Sequence, residues 1–286
     1  MSATPTLKTD KVTVPTLIRR KHNREKIVCL TAYDYPFARI LDQAGIDLIL
    51  VGDSLATTRL GQDSTLTLRV KDLLVHLKAV RRGIQRALLV ADLPYGSYHL
   101  NNKEALKNAL KFVKAGAEAV KIEGGAKRSQ LVRRLVGAEI PVMGHVGLTP
   151  QSLNMMGGYQ VQGKTPESAA AVMADALALQ EAGAFAVVLE GVPEKLAFQV
   201  TQELLIPTIG IGAGPHCDGQ ILVCDDLFGL TYSRKPKFVR QYVDLREILS
   251  RATRQYVNDC LSGDFPSQKE TYFPAEFPRL EEVLKH

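Results

Sequence analysis

Lys121 and Glu123 stand two residues apart in AVKIEGG (119–125), where Ala119, Val120 and Ile122 suit a strand inside a packed domain. Side chains two apart on a strand project to the same face. An ammonium and a carboxylate therefore share a surface that their neighbours mark as interior. Burying an ion pair gains little over an apolar pair of similar volume, so the pattern points to a polar, functional setting. An apolar run closed by an acid or a histidine recurs at Asp34, Asp53, Asp92, His145 and Glu190. A single acidic strand end is ordinarily a helix N-cap, and Asp34, two residues ahead of Pro36, is read that way. Five converging acids would raise one another's pKa unless positive charge lay among them. A divalent cation meets that need, with Lys121 as a second positive charge. Oxygen donors without a Cys cluster or a His pair select a hard ion such as Mg2+ over zinc.

The elements that must gather these residues read as one unit repeated: a short β-branched run, a polar residue at its end, then a helical stretch. The strand candidates are residues 26–34, 47–54, 87–94, 119–125, 141–147, 184–192, 206–214 and 219–229. Helix-period segments over 70–83, 101–117 and 167–184 lie between them, and QAGI, KAGA and EAGA supply left-handed glycine stops. The link from strand seven to strand eight is too short for a full helix. Eight such units predict a single-domain (βα)8 TIM barrel, α/β in class, whose strand C-termini converge on one functional face. A doubly wound open sheet is the alternative. It fits less well, because no GxGxxG follows the first strand and polar residues end many strands rather than clustering at one switch point.

The chain has 286 residues, 45% hydrophobic and 23% charged, ordinary values for a globular protein. Of its net charge of +6, residues 1–26 carry +5, so the basic character belongs to a leader and not to a nucleic-acid face. That leader lacks the apolar core of a secretory signal, and Asp10 and Glu25 argue against a transit peptide. No apolar run reaches the ~20 residues that span a bilayer. The four cysteines (Cys29, Cys217, Cys224, Cys260) form no CxxC pair, so reduced thiols and a cytoplasmic location are expected. The expected organisation is an N-terminal basic segment (1–25), a catalytic barrel (26–263) with a closing helix in DLREILSRATRQYVNDCLSG, and a C-terminal tail (264–286).

Three further stretches invite function. GIGAG (210–214) is either a phosphate-cupping turn or a close backbone approach to some other ligand. GLTPQSLNMMGGYQVQGKT (147–165), long and Gly-rich, reads as a lid. His145, between Gly144 and Gly147, reads as a substrate contact or proton relay.

TAYDYPFA, VGDSL, DSTL, AVRRG, ADLPYGSY, VKIEGG, GHVGLTPQS, GGYQVQGK, LEGVP, IGIGAG and DGQILV, in this order, resemble the ketopantoate hydroxymethyltransferase family from about Lys26 to Gly263. Two departures are visible: Gln62 replaces the His that usually precedes DST, and Asp225 stands where members often carry His. The resemblance implies Mg2+ held by Asp53 and Asp92, with Glu123 reaching it directly or through water. Ser54 and Lys121 would contact a 2-oxo acid, with Asp53, Asp92 and His145 also at the substrate, and Glu190 would be the general base. It further implies transfer of a one-carbon unit from 5,10-methylenetetrahydrofolate to the enolate of 3-methyl-2-oxobutanoate, giving 2-dehydropantoate on the route to pantothenate and coenzyme A. The expected partners are these small molecules and further copies of the chain in a homodecamer, with no nucleic acid and no membrane. A phosphoenolpyruvate mutase or isocitrate lyase type of barrel would use the same chelation. Those lyases usually carry a KCGH-type loop, which does not occur here.

Overall fold

The computed structural model describes residues 10–232, 235–273, 279 and 284; the start of the basic leader and about half of the tail lie outside the described residues. Eight parallel strands close into a barrel in sequence order, β1 (Ile27–Thr31), β2 (Leu48–Val51), β3 (Leu88–Asp92), β4 (Ala119–Glu123), β5 (Val142–Gly147), β6 (Ala186–Glu190), β7 (Thr208–Ile211) and β8 (Gly219–Leu222), with β8 pairing back onto β1. The helices are α1 (Val14–His22), α2 (Tyr35–Gln43), α3 (Leu55–Thr58), α4 (Val70–Gly83), α5 (Asn102–Lys114), α6 (Ser129–Val136), α7 (Leu153–Met156), α8 (Pro166–Glu181), α9 (Glu194–Glu203), α10 (Cys224–Phe228) and α11 (Leu245–Ser262). This is the (βα)8 TIM barrel expected from the alternation. The expected helix starts and stops also hold: Asp34 caps α2 by accepting from Phe37 N–H at 2.9 Å, and the glycines of QAGI, KAGA and EAGA sit at φ of +92°, +104° and +97°.

Alternation along the strands sorts the side chains into two apolar clusters. Ile49, Val51, Leu89, Val120, Ile122, Val142 and Val187 face outward against the helices. Ile27, Cys29, Leu48, Leu50, Leu88, Val90, Met143, Val188, Ile209 and Ile221 fill the barrel interior. Followed upward with period two, the interior positions become the polar ones: Val90 leads to Asp92, Ala119 to Lys121 and Glu123, Met143 to His145, and Val188 to Glu190. Lys121 and Glu123 therefore belong to the top layer of the interior, above several layers of apolar side chains.

Within the basic leader, Leu17 of α1 is fully buried and, with Val12, joins the interior cluster, so the helix covers the N-terminal end of the barrel. Its cations meet acids on the loops at that end. Arg20 and Arg86 both bind Asp47, Lys21 reaches Asp218 at 2.7 Å, and Lys11 reaches Glu118 at 2.7 Å.

Three expectations change at the C-terminal side. Strand eight stops at Leu222 because Cys224–Phe228 turns into α10, whose first amide donates to Thr31 Oγ1 at 3.0 Å. The glycines of GIGAG precede no helix. A Cβ on Gly212 would meet Phe238 at 2.8 Å and one on Gly214 would meet Glu194 at 2.7 Å, so packing of the chain on itself accounts for them. The closing helix forms over Leu245–Ser262 with Asp244 as its N-cap, yet none of its residues is buried, so it does not seal the barrel of its own chain.

Leu17→Ala should lower stability by about 2–5 kcal/mol, the usual result of emptying a buried leucine site. Urea unfolding measures it. An unchanged midpoint would mean that α1 merely rests on the barrel.

Candidate active site

A cavity of about 170 Å³ opens at the C-terminal face of the barrel and is lined by Asp53, Ser54, Asp92, Lys121, Glu123, His145 and Glu190, so every residue singled out in the sequence for chemistry meets there. Asp34 does not join them; it caps α2 and lies 3.6 Å from Arg59. Asp53, Asp92, Lys121, Glu123 and His145 are each exposed by 5% or less. Strand register sets their neighbours, with Asp92 beside Lys121 and Glu123 beside His145.

Lys121 Nζ binds Asp92 Oδ1 and lies 3.7 Å from Glu123 Oε1. Asp92 Oδ2 accepts from the Asp53 backbone N–H at 3.0 Å. His145 lies between two carboxylates, with Nδ1 3.3 Å from Glu123 Oε1 and Nε2 3.2 Å from Glu190 Oε2. Those distances suit ion pairs, but neither contact is aligned as a hydrogen bond. Ser54 Oγ is held by the buried Tyr33 hydroxyl at 2.7 Å.

Burial opposes the imidazolium of His145, but Glu123 and Glu190 outweigh it and raise the group to about 9. Burial likewise opposes the Lys121 ammonium, and Asp92, Glu123 and Asp53 more than compensate, so it stays protonated. Asp53 is the strained member. Burial, then Asp92 and Glu123, push its carboxyl well above the usual range, and Lys121 and Gln151 only partly offset them. Asp92 is also raised, because burial exceeds the help it receives from Lys121. Glu123 is lowered: burial acts against its charge, but His145, Lys121 and a backbone amide prevail.

The excess of buried negative charge around Asp53 fits a divalent cation, and all the available donors are oxygens, as a hard ion requires. Among the described residues, no group of three His, Cys, Asp or Glu side chains is close enough to cage an ion unaided. That suits Mg2+, which commonly takes one or two carboxylates and completes its shell with water and substrate. Asp53, Asp92 and Glu123 all line the cavity and could hold it. Glu123 has one oxygen engaged by Gln151 N–H at 2.9 Å and one facing His145 and Lys121, and Asp92 is likewise engaged by Lys121 and by the Asp53 N–H.

Residue-type reasoning passed over Gln151, Tyr98 and Tyr33. Gln151 Nε2 donates to Asp53 Oδ2 at 2.9 Å, and its Oε1 accepts from Tyr98 Oη at 2.6 Å. All three residues fall inside motifs quoted above, which was the one available signal. The segment 147–165, read as a lid, is two things. Its first part folds into short helical turns that bury Gln151, while Tyr159 farther along reaches back to line the cavity.

The sequence model of the family described as ketopantoate hydroxymethyltransferase matches residues 11–268. A 3-methyl-2-oxobutanoate hydroxymethyltransferase of Koribacter versatilis is 52% identical over 278 residues, covering 96% of this chain and 94% of that one. The protein of the same name from Geobacter sulfurreducens is 52% identical over 261 residues, covering 91% and 98%. Among solved structures, 2,3-dimethylmalate lyase, a PEP mutase/isocitrate lyase superfamily member, is similar in fold, with a TM-score of 0.57 at 20% identity over 95% of this chain and 96% of that one.

In the metal-free protein, the raised pKa of Asp53 costs stability as pH rises from the unfolded value of about 4 through the folded one. Asp53→Asn removes that cost. In EDTA the variant should unfold at a higher temperature than the wild type at about pH 8, with the gap closing near pH 3. A gap that is absent or independent of pH would show that this carboxylate is not strained.

Proposed function

The chain belongs to the ketopantoate hydroxymethyltransferase family, and from that premise we propose that it transfers a hydroxymethyl group from 5,10-methylenetetrahydrofolate to 3-methyl-2-oxobutanoate through the enolate of the oxo acid. One water is consumed to supply the hydroxyl group, the products are 2-dehydropantoate and tetrahydrofolate, and the step is one of pantothenate synthesis that we assign to the cytoplasm. The observation that carries this reading is the position of Glu190. It lines the same cavity as Asp53, Asp92 and Lys121, from a different strand and beside His145.

Asp53 and Asp92 would hold a divalent cation, which would supply Lewis acidity toward the keto oxygen. Lys121, kept protonated by its acidic neighbours, and Ser54, held by Tyr33, bind and orient the oxo acid. Glu123 would reach the same cation directly or through a water, and it keeps His145 charged and steadies Lys121. Glu190, whose Oε2 faces His145, takes the C3 proton. Apolar walls from Leu50, Val188, Ile211 and Ile221 exclude water around the branched carbon and strengthen these electrostatic contacts.

With Mg2+ and no folate, the C3 hydrogen of 3-methyl-2-oxobutanoate should exchange in D2O. Glu190→Gln should lower that exchange by about 10²–10⁴-fold, the usual worth of a general base, while oxo-acid binding persists. Exchange at the wild-type rate would remove Glu190 from the base role.

We further propose a homodecamer. Helix α11 supports a homo-oligomer, because Ile248, Leu249, Tyr256, Val257 and Leu261 are exposed along it and, among the described residues, it buries no side chain of its own. Sedimentation equilibrium should give ten copies; a monomer would refute this assembly.

A further inference from the structure

Gln151 lies in a single turn of 3-10 helix (Pro150–Ser152) that follows β5, and it is buried among carboxylates. A neutral amide in such a place is costly unless each polar atom has a partner. Here each has one. Nε2 donates to Asp53 Oδ2 at 2.9 Å and to the Leu93 carbonyl at 3.1 Å, while Oε1 accepts from the Tyr98 hydroxyl at 2.6 Å. The Leu93 carbonyl can only accept, which fixes the orientation of the amide. The Gln151 backbone N–H donates to Glu123 Oε2 at 2.9 Å, and Tyr98 Oη accepts from the Glu123 N–H at 3.2 Å. The bonds run one way, from the Glu123 backbone through Tyr98 and the amide to Asp53, and return through the Gln151 backbone to the Glu123 side chain. One residue after β5 thus joins groups from the ends of β2, β3 and β4.

We propose that Gln151 is a positioning residue for the cation site: by holding Asp53 Oδ2 it leaves Oδ1 as the oxygen presented to a divalent ion. The inference rests on the reading of Asp53 as a ligand. A donor is required at this position, since Asp53 already faces Asp92 and Glu123, and a Gln does so without adding charge. Tyr98 secures the amide from its far side, so the hydroxyl acts on Asp53 through Gln151. Partners of this kind, one bond behind a ligand, commonly matter by about 10–100-fold in metal affinity.

The test is an Mn2+ titration of the full chain followed by electron paramagnetic resonance, without substrate, beside thermal unfolding in EDTA. Gln151→Met keeps the length and removes the donor. It should bind Mn2+ about 10–100-fold more weakly while unfolding within a few degrees of the wild type. Tyr98→Phe, which keeps the ring, should weaken binding in the same direction, and it carries the test should Q151M fold poorly. Wild-type affinity in these variants, with Asp53→Asn no longer binding, would overturn the role of Gln151 and leave Asp53 as the ligand. Wild-type affinity in D53N would instead overturn the reading of Asp53 on which the inference stands.

Discussion

Burying several ionisable groups of mostly one sign at the mouth of an apolar barrel is the constraint to which the rest of the structure answers. Charges taken out of water must be paired and hydrogen-bonded or else neutralised. Lys121 serves Asp92 and Glu123, His145 lies between Glu123 and Glu190, and the backbone amides of Asp53 and Gln151 donate to Asp92 and Glu123. The balance still falls short at Asp53. That shortfall is useful: a site that is strained when empty has a standing preference for a cation, at the cost of stability in its absence.

The scaffold makes such a site tolerable by separating its two ends. Below the polar layer, Val90, Met143, Val188 and Ile209 pack the barrel, and Leu17 of α1 covers its base. Ion pairs are used at both ends, but to different effect. Arg20, Lys21 and Lys11 satisfy acids on the bottom loops, where acid and base are balanced and part of each pair reaches solvent. At the top, acids outnumber bases and water is scarce, so each charge acts more strongly on its neighbours. Chemistry is confined to the end where charge is left uncompensated.

The barrel and the identity of the polar strand ends were legible because both follow from periodicity, which the sequence carries locally. Glu190 and Asp53 could be placed on one face without knowing any contact between them. What was not legible depends on long-range packing. Leu17 is the only buried residue of α1, so its helix looked like a soluble basic leader. Helix α11 has the pattern of a closing helix, but pattern does not say whose surface it covers. Gln151 is a residue type usually found at the surface, and only its four bonds reveal that it is structural to the site.

The two departures from the family pattern are related through one loop. Asp225 is buried, with its carboxylate 3.0 Å from Arg59 Nε, and the Arg59 guanidinium lies 4.7 Å from the centre of the Phe37 ring and 3.6 Å from Asp34. Gln62, three residues past Arg59, accepts from Thr67 Oγ1 at 2.5 Å and steadies the turn that follows. Both residues therefore brace the segment after Ser54, and neither lines the cavity. An acid at 225 is tolerable because Arg59 stands beside it, although burial still raises its pKa. A histidine there would leave that guanidinium with Asp34 as its remaining acidic partner. The exchange thus rewires the support of the loop that carries Ser54 while leaving the charges of the polar layer as they are, which is why it is compatible with an intact set of acids at the mouth.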